Sequence, residues 1–219
     1  VLPWVAALAK ALFGTKLIFV AYDLYPEIAV NTGALRQGSL ICRMMEFINR
    51  SVYRRADAVV ALSGEMKEFI GANREIAPEK IHVIPNWYED KQSDAVPGEE
   101  NPFRKDGKFT VSYFGNMGTA QDMQTILDAI RLLKDEHQYR FLFAGHGNKM
   151  EKLKAIVREE QIGNIVIHDF LHGKDFQDAL AVSDCALVSL EKGATGLCVP
   201  SKTYSYMMQG IPLLAIMDE

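Results

Sequence analysis

Short apolar runs alternate with helix-patterned segments along the 219-residue chain, and that alternation constrains the fold more than any single motif. The runs are residues 17–22, 58–62, 82–84, 109–114, 140–144, 165–168, 185–190 and 213–216. They are nearly continuous in apolar residues, where a strand with one wet face would alternate. Strands of that kind are covered on both faces, which is the condition of a parallel sheet. Residues 38–55, 65–72, 123–136, 148–160, 174–182 and 201–209 carry the helical pattern between them. Strands and helices in strict alternation predict an α/β fold whose parallel sheets are joined by right-handed crossovers.

One stretch interrupts the rhythm. Residues 89–108 (EDKQSDAVPGEENPFRKDGK) are polar, hold two prolines and two glycines, and offer almost nothing to bury. They read as a linker dividing residues 1–97 from residues 98–219. Five strands and four helices follow it, enough for a nearly complete Rossmann-like domain. Only three strands precede it. The first half is therefore expected to be the rear part of a domain whose beginning lies outside this chain, and closing helices are expected beyond residue 219.

The bulk numbers bound the function. Apolar residues are 48% and charged residues 24%, an ordinary globular balance, and the net charge of -4 gives a nucleic-acid partner no support. Cys42, Cys185 and Cys198 form no C-x-x-C pair and no even framework, which suits a reducing compartment. No apolar run reaches about 18 residues, so no membrane span is expected. Residues 1–13 come nearest, but Pro3 and Lys10 interrupt them, and the basic start and cleavage site of a signal peptide are lacking.

The most specific chemistry lies in residues 199–215. Pro200, Ser201 and Lys202 open a short helix, Gly210 closes it, and Pro212 precedes a strand. Ser201 is expected to cap the helix with its hydroxyl. The remaining free N–H groups and the helix dipole favour an anion there, and Lys202 adds a full positive charge. Ligands in open α/β sheets bind at the carboxyl ends of strands, so the loops after other strands are candidates too. Gly115, Asn116, Gly118 and Thr119 form the turn after the first strand of the second domain. Gly145 and Gly147 follow the next strand; His146 between them carries no inference alone. Glu191, after the fourth strand, sits where a carboxylate could bond sugar hydroxyls or simply be solvated.

In the first half, Asp23 and Glu27 end a strand. Either they face a gap between domains, as a carboxylate pair that orients hydroxyls or acts as a base, or they cap the helix begun by Pro26. Arg36, Arg43, Arg50 and Arg54 fall within about 40° of one another at 100° per residue, a basic stripe. That stripe is either a solvated helix face or a docking surface for an anionic membrane. The chain has no G-x-x-x-x-G-K-[ST], no G-x-G-x-x-G with an acidic partner, no H-E-x-x-H and no D-x-D pair. Charge compensation for a bound diphosphate is then expected from side chains and helix ends, Lys202 foremost.

Taken in order, residues 23–27 (DLYPE), 56–63 (ADAVVALS), 81–86 (IHVIPN), 113–118 (YFGNMG), 143–147 (FAGHG), 200–202 (PSK) and 210–212 (GIP) resemble the family 4 glycosyltransferases of the GT-B fold, in particular the bacterial branch that builds surface polysaccharide and O-antigen. The resemblance covers nearly the whole chain. It implies two Rossmann-like domains, a nucleotide-sugar donor on the C-terminal one, and a glycan or polyprenyl-linked acceptor on the N-terminal one. It also implies a retaining, metal-independent transfer with no cofactor, in the cytoplasm or peripherally on the inner face of the plasma membrane.

The chain departs from that pattern at three places. Asn116 and Gln121 fall where many relatives carry an Arg and a Lys for the diphosphate. Leu197 and Ser205 fall where many carry two glutamates. Tyr22 and Asp23 fall near a common cleft histidine. The expected roles are therefore Lys202 on the leaving diphosphate, Asp23 and Glu27 on the acceptor or transferred sugar, and Gly115, Asn116, Gly118, Thr119, Gly145, Gly147, Glu191, Pro200 and Ser201 around the donor. The alternatives are a sugar-nucleotide epimerase, a non-catalytic sugar-nucleotide-binding protein and, more distantly, a dehydrogenase.

Overall fold

The computed structural model describes residues 2–88, 100–104 and 107–218. It divides into two compact units. The first holds Val1–Asn86 with Gly193–Val199 and Asp218–Glu219, and the second holds Trp87–Lys192 with Pro200–Met217. Most of the expected linker, residues 89–99 with 105 and 106, lies outside the described residues.

In the first unit, β1 (Ile18–Ala21), β2 (Ala58–Ala61) and β3 (Ile81–Val83) form a parallel sheet in the order β1-β2-β3. The helices are α1 (Leu2–Phe13), α2 (Glu27–Asn31), α3 (Leu40–Arg55) and α4 (Gly64–Asn73), with a 3-10 turn at Pro78–Lys80. Extended serines set two helix starts. Ser39 accepts from the Cys42 N–H and Ser63 from the Met66 N–H, each satisfying a donor that the first turn leaves free. Helix α1 was not foreseen as an element. It buries Ala7 with Leu17 and Val52, and Lys10 ties it to Asp57 at 2.6 Å. Because α3 opens only at Leu40, Arg36 lies outside it and drops out of the expected stripe.

The second unit is a five-stranded parallel sheet in the order β6-β5-β4-β7-β8. Its strands are β4 (Phe109–Asn116), β5 (Tyr139–His146), β6 (Ile165–Asp169), β7 (Cys185–Ser189) and β8 (Leu213–Ile216). The crossovers are α5 (Met123–Leu132), α6 (Met150–Glu159), α7 (Gly173–Ala181) and α8 (Lys202–Met208). Two cores explain the unbroken apolar runs. Tyr113 and Phe143 enter the cluster under α5 and α6, while their neighbours Phe114 and Leu142 enter the one with α7 and Tyr206 of α8. Successive residues of one strand point to opposite faces, so both faces of β4 and β5 must be apolar.

Two sequence expectations change here. Part of the stretch read as having almost nothing to bury belongs to the second core. Phe103 packs with Phe114 and Leu180, Asn101 donates to the Asp178 carbonyl at 2.9 Å, and the Arg140 guanidinium bonds the Phe103 carbonyl. A phenylalanine so buried contributes about 2–3 kcal/mol. The domain division also differs from the expected 1–97 and 98–219, because residues 193–199 run with the first unit. The Leu24 N–H donates to the Leu197 carbonyl at 2.8 Å, and Asp23 and Cys198 form an isolated antiparallel bridge.

Candidate functional site

In the second unit the chain runs outward from β4 through β5 to β6, then returns to the other side of β4 for β7 and β8. The crossovers on either side of β4 therefore diverge at its carboxyl end. A parallel sheet leaves a ligand crevice at such a point.

The loops that meet there are packed backbone to backbone. The Met117 N–H donates to the His146 carbonyl at 2.6 Å, and the Glu191 N–H donates to the Ala120 carbonyl at 2.8 Å. Gly145 and Gly147 permit the first of these contacts. A Cβ on Gly145 would lie 1.8 Å from the Gly115 carbonyl oxygen, and one on Gly147, at φ +130, would lie 2.5 Å from the Met117 carbonyl. Both glycines are thus used for loop-to-loop approach. Gly118 is buried, its N–H donates to Gln121 Oε1 at 3.0 Å, and a Cβ there would meet the Asn116 amide at 2.7 Å. Gly115, at φ +113, is different: its space opens onto Lys202, whose Cε would be 3.7 Å from a Cβ. Asn116 and Thr119 are exposed at the rim.

Lys202 is the unusual group. Its Nζ sits 3.4 Å above the Tyr113 ring centroid, is shielded from solvent, and has no hydrogen-bond partner among the described residues. Burial pulls its pKa down to about 7. The ring face favours the charged form, and Tyr113 is itself pinned, its hydroxyl donating to the Asn116 carbonyl at 2.9 Å. Pro200 and Ser201 precede Lys202 as expected, but Ser201 does not cap the helix. It is already helical at φ -62 and ψ -24 and makes no side-chain cap bond; a capping side chain needs an extended residue. Ser205 turns back on its own helix, donating to the Lys202 carbonyl at 2.8 Å.

Glu191 is an ion-pair partner. Lys149, which precedes α6, places Nζ 2.5 Å from Glu191 Oε1, 2.7 Å from the Gln121 carbonyl and 3.5 Å from the Thr119 carbonyl. One ammonium so joins the loops after β4, β5 and β7. Lys149 was not among the expected site residues; its only signal was a basic residue two positions past Gly147. Tyr113 was likewise missed as the ring beneath Lys202.

The other expected residues lie in the first unit. Glu27 is not an unengaged carboxylate: Arg74 forks onto it at 2.9 and 2.6 Å, and its guanidinium stacks over Tyr53 and Phe69. Nor does the Asp23 side chain cap α2, since Pro26 holds that position with no side-chain cap bond. The protein packed about the Asp23 carboxyl raises its pKa, and burial with the nearby Asp23 carboxylate pushes the Cys198 thiol up to about 11. Among the described residues, no group of three His, Cys, Asp or Glu side chains converges as a metal site would, and no helix is long and apolar enough to cross a membrane.

Two family models match this chain: the glycosyl transferase 4-like domain over residues 1–87, and glycosyl transferases group 1 over residues 108–217. The chain belongs to the group 1 glycosyltransferases. It is 32% identical over 216 residues to the "Probable glycosyltransferase WbjE" of Pseudomonas aeruginosa, covering 97% of this chain and 54% of WbjE. It spans about half the length of the curated relatives it matches. Among solved structures it resembles WaaG, a glycosyltransferase involved in lipopolysaccharide biosynthesis, with a TM-score of 0.71 at 16% identity over 97% of this chain and 62% of that one. It also resembles sucrose-phosphate synthase from Thermosynechococcus elongatus, with a TM-score of 0.72 at 12% identity over 97% of this chain and 53% of that one. The chain therefore has the GT-B fold, and covers part of it.

Proposed function

We propose that this chain is the donor-side portion, with part of the acceptor side, of an enzyme that transfers a sugar from a nucleotide-sugar donor to a growing cell-surface glycan or a lipid-linked acceptor on the cytoplasmic side of a membrane. The observation that carries the reading is the buried, unpartnered ammonium of Lys202 beside Gly115, at the carboxyl edge of a parallel sheet. An anion is the natural complement of such a group, and the leaving diphosphate of a nucleotide-sugar is an anion whose charge grows as the glycosidic bond breaks. Lys202 then stabilises that charge where water is excluded, which is where electrostatic stabilisation is strongest.

Transfer without a metal is part of this proposal, with the Lys202 ammonium as a side-chain cation that can compensate the diphosphate charge. With the Glu27 carboxylate held by Arg74, Asp23 is the member of the expected carboxylate pair left for this role, and its raised pKa suits it to accept or hold a proton. The transfer is read as retaining, in keeping with the resemblance of the chain to family 4, and the reaction consumes no separate cofactor.

The reading is tested with Lys202→Ala in the full-length enzyme. Turnover falls at least about tenfold, the loss of a single electrostatic contact to the transition state; unchanged turnover refutes the role of Lys202. A thermal-shift panel of UDP-, GDP- and ADP-sugars identifies the donor, since a ligand that binds only the folded protein raises its apparent stability. Release of an altered sugar nucleotide without an acceptor would identify an epimerase instead.

A further inference from the structure

Lys202 is held where an ammonium gains little. Its Nζ lies over the Tyr113 ring, shielded from solvent, and no hydrogen-bond acceptor among the described residues reaches it. Any further chain would only deepen that burial. Desolvation is the one cause that lowers its pKa to about 7, with no carboxylate near enough to oppose it. The groups packed around it supply no counter-charge. Burial raises the phenol pKa values of Tyr113 on β4 and Tyr206 on α8, and pushes up the Cys185 thiol of β7, so all three are neutral. Tyr204 lies about 200° away around α8. Strand β8, on which α8 also packs, has no titratable side chain. On the loops after β5 and β7, Lys149 and Glu191 neutralise each other at 2.5 Å, and Lys192 brings no negative charge. The free side of Lys202 faces Gly115, where a Cβ would lie 3.7 Å from Lys202 Cε. Glycine there leaves room for the side chain to swing off the ring.

We propose that Lys202 is a proton-coupled switch for donor binding: in the empty site it rests uncharged on the Tyr113 ring, and it leaves the ring and takes a proton from solvent when the donor diphosphate arrives. This rests on the reading of Lys202 as the partner of the diphosphate, and adds its protonation state and its movement. A ring face attracts an ammonium, but it does not replace the water that burial removes, so above about pH 7 the amine is the form that stays in the dry position. A phosphate oxygen reverses that balance, because an opposite charge within hydrogen-bond reach favours the protonated form. The sign of the pH dependence follows. Between about pH 7 and the ordinary lysine value of 10.5, the bound state holds one proton more than the empty one. Donor affinity therefore falls as pH rises through that window, and is flat below it, where the ammonium is already present.

Isothermal titration calorimetry of the full-length enzyme tests it. UDP-glucose, GDP-mannose and ADP-glucose are each titrated at about pH 6, 8 and 9, at each pH in a pair of buffers of different ionisation enthalpy. The buffer dependence of the heat counts the protons taken up. The diphosphates of these probes are diesters without the second phosphate proton that titrates near neutrality, so the uptake belongs to the protein. For a donor that binds, uptake is near zero at the acid end and approaches about one proton at the alkaline end, and Kd rises about tenfold over the last pH unit. Lys202→Arg keeps a charge that cannot be given up, so donor binds it with no uptake and with a Kd that ignores pH. Lys202→Met weakens binding and abolishes uptake. His146→Gln, at the end of β5, leaves the uptake intact; its loss there would assign the proton to His146 and overturn the proposal. Binding without uptake at any pH, or uptake that survives Lys202→Met, overturns the switch, while weaker binding by Lys202→Met would still leave Lys202 as the partner of the diphosphate. Failure of every probe to bind the wild type, or undiminished affinity in Lys202→Met, overturns that underlying reading together with the switch.

Discussion

Replacing Lys202 with Met should make the protein more stable, and the gain should depend on pH. Burial lowers the Lys202 pKa from 10.5 to about 7. A shift of that size places a cost of about 5 kcal/mol on the charged form, at 1.36 kcal/mol per unit. The Tyr113 ring, 3.4 Å from Nζ, returns on the order of 2 kcal/mol in so dry a setting. The net cost of holding a protonated Lys202 is thus about 3 kcal/mol, a large share of a domain's stability.

The sign follows from proton binding. In the unfolded chain Lys202 keeps its proton up to about pH 10.5, whereas the folded chain gives it up from about pH 7. The unfolded state binds more protons between those limits, so wild-type stability rises with pH there, and the ring attraction moves the lower limit upward. Met fills similar volume without a charge to desolvate. Urea unfolding of wild type and Lys202→Met from about pH 6 to about pH 10 should show the variant ahead by about 3 kcal/mol at neutral pH, the difference shrinking toward zero at the alkaline end. A difference that ignores pH, or a variant less stable throughout, would refute the reasoning. The same variant should lose most of the donor-induced thermal shift, because the group that destabilises the empty fold is the one proposed to meet the diphosphate.

Two further outcomes follow from geometry. Gly145→Ala would set a Cβ 1.8 Å from the Gly115 carbonyl oxygen, so β4 and β5 must separate; a loss of more than about 3 kcal/mol in urea unfolding is expected, and an unmoved midpoint would show that the loops relax freely. Arg74→Met strands the half-buried Glu27 carboxylate and costs about 3 kcal/mol by the same measurement. Arg74→Lys should recover only part of that, because an ammonium cannot fork onto both carboxylate oxygens.

The sheets were legible in the sequence because β4, β5 and β7 are buried on both faces, which leaves an unbroken apolar run. The observed strands coincide with those runs to within a residue or two, and β8 matches throughout. Helix α1 was hidden, since its apolar residues are compatible with a core helix or an interfacial segment, and only packing on Val52 separates the two. The site was legible in outline and opaque in its pairings. Glu27 with Arg74 and Lys149 with Glu191 are separated by 47 and 42 residues. No periodicity links such positions; only the fold does. The glycines show the same limit. A G-x-G after a strand signals close approach, but whether to a ligand or to the next loop is decided by what lies opposite, and for Gly145 and Gly147 that is backbone.

Lys149 and Lys202 sharpen the division of labour at this edge. Both are lysines in the second unit near the carboxyl ends of β4 and β5. The Lys149 ammonium is spent within the protein, on a carboxylate and the carbonyls of Gln121 and Thr119. Were Glu191 to leave it for a sugar hydroxyl, it would gain a bond of about 1 kcal/mol and give up a charge-assisted one worth about 1.5–3 kcal/mol. Glu191 therefore keeps Oε1 on Lys149 and holds the loops in place, and any hydroxyl it also accepts from falls to its other carboxylate oxygen. Lys202 has no such claim on it: its neighbours supply a ring face and a glycine, neither of which satisfies an N–H. Three unused donors in a dry site are costly unless something arrives to accept them. Of two lysines with the same chemistry, the one the fold leaves unsatisfied is the one proposed to meet an anion.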